Sequence, residues 1–186
     1  VAKDDISYSA PGKTDEDLRY ALPRCRVIAD SVGELSRIDK IAGELGGGFE
    51  IGIRINPAFG MDTEAGGPSQ FGIDYELLES LPELQNAEIT SIHTHIQSQN
   101  LGWETLARYY ENVFSLAAEL KTRGFAIRII NFGSGCGIVY DESCQTPLDM
   151  AALGTAVRKL TSRYAGIADE LIIEPGRYLV GSAGVF

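Results

Sequence analysis

The segment ITSIHTHIQSQN, residues 89–100, is an apolar run that ends in polar residues. Five further runs of this kind occur, and each is followed by a turn signal and a helical pattern. They are ISYSA (6–10), RVIAD (26–30), IGIRIN (51–56), IRIINFG (127–133) and LIIEPG (171–176). Near-continuous Ile, Val and Leu are typical of strands buried on both faces, as in a parallel sheet. The sequence therefore predicts repeated β-α units.

The predicted helices begin at residues whose side chains can accept a backbone hydrogen bond. These residues are Thr14, Ser31 (with Glu34 at the spacing of a capping box), Asp74 and Thr146 (followed by Pro147). Residues 102–123 carry apolar side chains on one helical face, which predicts a long helix. Gly124 and Gly166 are predicted to follow helix ends.

Two folds accommodate six β-α units. A doubly wound open sheet would be complete with six strands, whereas a (β/α)8 barrel would lack two units. The chain opens close to a strand and stops at GSAGVF (181–186) without a closing helix, which favours an incomplete barrel. Both folds place their chemistry at the carboxyl ends of the strands.

Composition narrows the class of protein. The 186 residues suffice for one domain, 1–186, with a substantial core. A net charge of -10 without a basic block argues against nucleic-acid binding, and the chain has no apolar run long enough to cross a membrane. No signal peptide opens the sequence. Three cysteines without framework spacing, Cys25, Cys136 and Cys144, predict a reducing compartment, with the cytoplasm as the default.

Two predicted strand ends carry candidate anion-binding residues. Glycines alternate in Gly133–Gly137, which permits close approach of backbone amides to a phosphate; a ligand-free turn is the alternative. The spacing fits neither a Walker A loop nor a dinucleotide fingerprint. Arg177 follows Glu174 after the last strand, where it can bind a carboxylate or phosphate, or else form a surface pair with that Glu.

Three further residues lie on predicted inner strands. Arg54 is a charge within a buried strand and needs an acidic neighbour or a ligand. His93 and His95 share one strand face and could begin a zinc site. The chain has no third histidine, so carboxylates alone would have to complete it. We therefore predict no metal site and interpret one of the two histidines as packing.

Several segments, taken together, resemble the fold-type III pyridoxal-phosphate-dependent decarboxylases, which share an alanine racemase-like barrel. They are ISYSAPGKTDEDLRYAL (6–22), ADSVGEL (29–35), IGIRINP (51–57), PSQFGI (68–73), HTHIQSQ (93–99) and EPGRYLVGSAGV (174–185). The resemblance is strongest to the diaminopimelate decarboxylase branch of a group that includes ornithine and carboxynorspermidine decarboxylases. It implies an α/β chain that forms an incomplete (β/α)8 barrel, about strands three to eight, with the C-terminal β-domain absent.

The resemblance also implies roles. His95 would stack on the ring of pyridoxal 5'-phosphate, and Glu174 would face its pyridine nitrogen, which makes these two the catalytic candidates. Residues implied to bind the phosphate, a substrate carboxylate or the surrounding site are Ser98, Gly133, Ser134, Gly135, Gly176, Arg177 and Arg54. His93 has no implied role.

The sequence departs from the family pattern in two ways. Gln97 and Ser134 each stand where the family usually has glycine, and Gln70 stands where it commonly has lysine. The family's cofactor-linked lysine, in a Tyr-Ala-x-Lys stretch, is missing, because Lys3, Lys13, Lys40, Lys121 and Lys159 lie in other contexts. The chain alone is therefore predicted not to decarboxylate.

The activity implied for the full-length protein is decarboxylation of meso-diaminopimelate to lysine. Ornithine, lysine or carboxynorspermidine decarboxylation is the alternative within the family, and a non-catalytic pyridoxal-phosphate-binding or regulatory homologue is the alternative from another class. The implied partners are a small amino-acid substrate and, in the full-length enzyme, a second copy in a cytoplasmic homodimer.

Overall fold

The computed structural model describes residues 2–184, apart from the side chain of Asp4. All six predicted strands are present, and one short strand, β4, is additional. The strands are β1 (Ser7–Tyr8), β2 (Arg26–Ala29), β3 (Phe49–Asn56), β4 (Ile73–Asp74), β5 (Ala87–His93), β6 (Ile129–Asn131) and β7 (Glu170–Ile172). The helices are α1 (Asp15–Ala21), α2 (Val32–Glu44), α3 (Trp103–Thr122), α4 (Met150–Arg163) and α5 (Gly176–Val180). Short 3-10 segments occupy Lys3–Asp5, Tyr75–Ser80 and Gly181–Ala183.

Every strand pairing is parallel, and the main path of the sheet runs β1-β2-β3-β5-β6-β7, with β4 beside β3. The sheet is strongly curled. Arg26 on β2 donates a 3.1 Å hydrogen bond to Glu170 on β7, although three strands separate β2 from β7 in the path. Side chains from such distant strands can meet only across the concave face of a barrel-like sheet.

The two faces of the sheet pack against different surroundings. On the convex face, residues such as Val27, Ile53 and Ile130 are buried in one core with the helices. Ile28 and Ile129 are also buried but project from the concave face, since successive strand residues alternate between faces. The helices therefore cover one side, and the concave side is free to build a site at its end.

No helix among the described residues is both long enough and apolar enough to span a bilayer.

Two predicted helix starts were wrong. Helix α4 begins at Met150 rather than beside Thr146, because Asp149 caps it by accepting a 2.9 Å hydrogen bond from the Ala152 N–H. The segment after Asp74 forms a six-residue 3-10 turn rather than an α-helix. Pro82 forces the preceding residue into an extended conformation and ends that segment early.

The capping box predicted for α2 is half formed. Ser31 Oγ accepts a hydrogen bond from the Glu34 N–H, as predicted, but the Glu34 carboxylate accepts from the Asp30 N–H and from Lys13 Nζ. Lys13 is fully buried and also donates to the Ile28 carbonyl oxygen at 2.7 Å. This ion pair joins the loop after β1 to the start of α2.

We expect Lys13→Ala to lower the free energy of unfolding by about 3–5 kcal/mol, because it leaves the Glu34 carboxylate buried and unpaired. Urea denaturation followed by circular dichroism measures this loss. Arg19→Ala is the matched control: it removes an ion pair with Glu44 of similar length, 2.8 Å, in which both side chains are exposed. The control should change stability little, and equal effects from the two variants would contradict the prediction.

Candidate functional site

The strand register brings four polar side chains into one row on the concave face. Arg54 on β3 lies opposite His93 on β5, and His93 lies opposite Asn131 on β6. Asp30, directly after β2, lies beside Arg54 at 3.8 Å. All four follow apolar strand interiors, so the row marks the carboxyl-end layer of the curled sheet.

A cavity of about 400 Å³ opens at this layer, within the size range of small-molecule sites. Six of the predicted site residues line it together. The lining residues are Ser9, Arg54, His93, His95, Ser98, Glu174, Gly176 and Arg177. A second cavity of about 460 Å³ lies at the opposite end of the strands, beside Arg26 and Glu170. Parallel barrels carry their chemistry at the carboxyl ends, so the first cavity is the candidate site.

The glycine-rich tip, Gly133–Gly137, is buried and does not line the cavity directly. It is joined to the polar end of the 89–100 segment: the Asn100 N–H donates to the Gly135 carbonyl at 2.8 Å, and the Gly137 N–H donates to the Asn100 carbonyl at 2.8 Å. Gln99, in a left-handed conformation with φ of 69°, exchanges two further hydrogen bonds with the Ile138 backbone. These two strand ends therefore form one unit.

Gly133 permits the closest approach between these two strand ends. Its φ is +60°, and a Cβ there would lie 2.6 Å from His95 Nδ1 and 2.6 Å from the Thr94 carbonyl oxygen. Only a residue without a side chain leaves His95 in its place against the cavity.

Ser134 has an internal role in the structure. Its Oγ accepts a 3.1 Å hydrogen bond from the Cys136 N–H, and its carbonyl oxygen accepts one from the Tyr110 hydroxyl at 3.0 Å. The neighbouring Tyr109 hydroxyl donates to the Phe132 carbonyl at 3.1 Å. Burial raises the pKa of both tyrosines, which keeps them protonated as donors to the tip. A role of Ser134 toward phosphate remains a prediction.

Glu174 is positioned from β6. Asn131 Nδ2 donates to Glu174 Oε1 at 2.8 Å, and the Glu174 N–H donates to the Gly133 carbonyl at 2.6 Å. Sequence reasoning named Asn131 only as part of a strand end. The signal that could have identified it was its position directly before the glycine tip, opposite His93 in the sheet.

Burial holds both histidines in their neutral form. It lowers the pKa of His93 from 6.5 to about 4, with a smaller opposing contribution from the Glu174 carboxylate and a reinforcing one from Arg54. His93 Nε2 lies 3.7 Å from Glu174 Oε2, but the neutral imidazole makes this a polar contact rather than an ion pair. Burial also lowers the pKa of His95, whose Nε2 lies 3.3 Å from Ser98 Oγ. Strand β5 ends at His93, so only one of the pair belongs to the strand itself.

Arg54 has the acidic neighbour that its buried position required. Asp30 lies 3.8 Å away, and the guanidinium also lies over the ring of Phe71, 4.7 Å from its centroid. Arg54 thus places a fixed positive charge at the wall of the cavity. Among the described residues, no three His, Cys, Asp or Glu side chains are close enough together to hold a metal ion.

The fold and the cavity define a class of protein: a parallel barrel-type chain with a polar site at its strand ends. The family model "Pyridoxal-dependent decarboxylase, pyridoxal binding domain" matches residues 1–181. The chain belongs to this family, as the sequence resemblance indicated, and the cofactor of the family is pyridoxal phosphate.

Curated relatives carry the name diaminopimelate decarboxylase. The proteins of Thermoplasma acidophilum and Aquifex aeolicus are 34% and 33% identical, and each match covers 100% of this chain and 46% of the relative. The chain therefore spans about half the length of the curated relatives it matches.

Solved structures agree with these relatives. Diaminopimelate decarboxylase from Helicobacter pylori, complexed with L-lysine, is 25% identical with a TM-score of 0.80, and the match covers 95% of this chain and 46% of that one. The enzyme from M. jannaschii, in co-complex with L-lysine, is 27% identical with a TM-score of 0.79, covering 96% and 44%. The prediction of a partial alanine racemase-like barrel is confirmed.

The residues of the cavity fit a phosphorylated pyridine. Glu174 lines the cavity, and Asn131 binds its Oε1, which leaves Oε2 able to accept from a ring N–H. Arg177 and Ser98 supply a cation and a hydroxyl for an anion. Within residues 2–184, neither ring nitrogen of His93 has a hydrogen-bond partner, which is costly for a buried group and indicates a site built for a polar ligand.

We expect Gly133→Ala to destabilise the chain more than Gly12→Ala. Both glycines have φ near +60°, +60° and +66°, but a Cβ at Gly12 would meet nothing within 4 Å. Gly12→Ala should cost about 1–2 kcal/mol from backbone conformation alone. Gly133→Ala should cost about 1–3 kcal/mol more, because His95 and Thr94 must move. Urea denaturation measures both, and equal costs would contradict the close approach.

We expect His93 to make the free energy of unfolding fall as the pH falls. The unfolded chain binds a proton at His93 near pH 6.5, whereas the folded chain binds it only near pH 4. The stabilisation contributed by neutral His93 is therefore fully present above pH 6.5. Up to about 3 kcal/mol of it is lost as the pH falls from 6.5 to about 4. Denaturant titrations from pH 7 to 4.5 should show a shallower decline for His93→Asn. Parallel declines in the two proteins would contradict it.

Proposed function

We propose that this chain is the pyridoxal-phosphate-binding barrel segment of an amino-acid decarboxylase that converts meso-diaminopimelate to lysine. The observation that carries the proposal is the convergence of His95, Ser98, Glu174 and Arg177 on one cavity at the carboxyl ends of the strands. The substrate assignment is supported by the name shared by the curated relatives and by the L-lysine complexes of two similar enzymes.

Each side chain has a task that its position supports. Glu174 would hold a proton at the pyridine nitrogen, because Asn131 leaves one of its carboxylate oxygens available as the acceptor. The neutral imidazole of His95 would lie against the ring face, where it would exclude water without adding charge. Ser98 and Arg177 would bind the phosphate, with Arg177 able to bind a substrate carboxylate instead. When bound, pyridoxal phosphate supplies an electron-withdrawing ring that stabilises the charge left by the departing carboxylate.

The family links its cofactor to a lysine side chain. No lysine lines the cavity in the described part of the chain. The amine of Lys13 is bound to Glu34 and to the Ile28 carbonyl, so it is committed elsewhere. We therefore propose that this chain binds the cofactor without decarboxylating, and that the activity belongs to the whole protein, acting as a cytoplasmic homodimer.

We expect the chain to bind pyridoxal phosphate saturably, with inorganic phosphate competing. Glu174→Gln and Arg177→Ala should each weaken binding about tenfold or more, since each removes a charged partner of the ligand. Isothermal titration calorimetry measures both. Arg163→Ala is the control, because Arg163 pairs with Glu111 on the helical side, and its binding should match the parent.

Release of carbon dioxide by the full-length protein distinguishes the substrates. We expect meso-diaminopimelate to be consumed in preference to ornithine, lysine or carboxynorspermidine. Cofactor binding without release from any of these would overturn the decarboxylase assignment in favour of a regulatory homologue. Absence of cofactor binding would overturn both.

A further inference from the structure

We propose that Asn131 and His93 are positioning residues that hold the Glu174 carboxylate between them, one at each oxygen. The inference rests on the proposed function in one respect, namely that the carboxylate accepts a hydrogen bond from the ring N–H of the cofactor. The arrangement itself belongs to the free protein.

Asn131 uses both ends of its amide. Its Nδ2 donates to Glu174 Oε1 at 2.8 Å, and its Oδ1 accepts from the Gly133 N–H at 2.9 Å. The residue is 1% exposed, so its bond to the Gly133 N–H is shielded from bulk water, whereas the Glu174 side chain at the other end is 42% exposed. One buried side chain therefore links the glycine tip to the carboxylate. A further hydrogen bond, from the Glu174 N–H to the Gly133 carbonyl, joins the tip to Glu174 directly.

His93 approaches the other oxygen. It is the cross-strand neighbour of Asn131, and its Nε2 lies 3.7 Å from Glu174 Oε2. Neither ring nitrogen has a partner within the described chain, although the residue is 2% exposed. A neutral imidazole can donate one N–H to a carboxylate without neutralising it. Arg54 and His95 are the other titratable groups that act on His93, and both oppose its protonation.

The two carboxylate oxygens of Glu174 therefore have different roles. Oε1 accepts the hydrogen bond from Asn131, which leaves Oε2 for the ligand. His93 Nε2 lies 3.7 Å from Oε2, beyond hydrogen-bond distance but close enough to limit where that oxygen can turn. Because Asn131 also binds the Gly133 N–H, a displacement of the tip would displace Glu174 as well. The glycine tip and the proposed nitrogen end of the site are thus linked by hydrogen bonds through Asn131.

The two histidines are the only ones in the chain, so their imidazole signals can be separated by NMR with a single assignment variant. The measurement is the protonated fraction of His93 at pH 4.5, near its pKa of about 4, without cofactor. The Glu174 carboxylate raises that pKa, so Glu174→Ala should lower the protonated fraction about fourfold, as expected for charges about 4 Å apart in a waterlike medium.

Asn131→Ser should lower the same fraction, because the carboxylate is no longer held beside the imidazole. The hydroxyl of the introduced serine can still accept from the Gly133 N–H, and Asn131→Ala serves as a second variant should the first fail to fold. In the Glu174→Ala background, Asn131→Ser should have no further effect. Ser98→Ala is the control: it removes a contact of His95 and should leave the His93 signal unchanged.

Cofactor affinity gives a second readout. Asn131→Ser and His93→Ala should each weaken pyridoxal phosphate about tenfold, whereas His93→Gln, which keeps an amide donor, should stay within about twofold of the parent. An unchanged His93 signal in Glu174→Ala or Asn131→Ser would overturn the inference while leaving the proposed function intact. Loss of cofactor binding in the parent, with the NMR result as expected, would overturn the function and support the positioning.

Discussion

The parallel pairing of β1, β2, β3, β5, β6 and β7 gives these strands one direction, so their carboxyl ends meet at a single edge of the curled sheet. Side chains alternate between the faces, and the helices cover the convex one. The polar side chains near the strand ends that do not face the helices therefore project into the concave space. The row from Asp30 to Asn131 and the cavity above it follow from this constraint.

Within that frame, the site depends on close contact between two strand ends. The lack of a side chain at Gly133 lets the tip lie against His95, and backbone bonds between Asn100 and the tip hold the two segments together. From α3, Tyr110 donates to the Ser134 carbonyl in the tip, and Tyr109 donates to the Phe132 carbonyl directly before it. Buried hydrogen bonds thus hold the segment behind this side of the cavity in place, as a preorganised site requires.

The strand ends and most helices could be predicted because their signals are local. Apolar runs identified all six strands of the main path, and the acceptors at Thr14 and Ser31 marked two helix starts correctly. The start of α4 was misplaced because Thr146 and Asp149 are both residue types that cap helices, and in the structure Asp149 makes the capping hydrogen bond. β4 was missed because two residues carry no periodic pattern.

The sequence by itself determined the family, the parallel order of β and α elements, and the residue types of the site, because motifs and periodicity are properties of neighbouring positions. Only the tertiary structure decided which of these residues meet. The bond from Asn131 to Glu174 joins positions 43 residues apart, and the pair of Arg26 with Glu170 joins positions 144 apart. Contacts at such separations depend on the curl and register of the sheet, which no local pattern encodes.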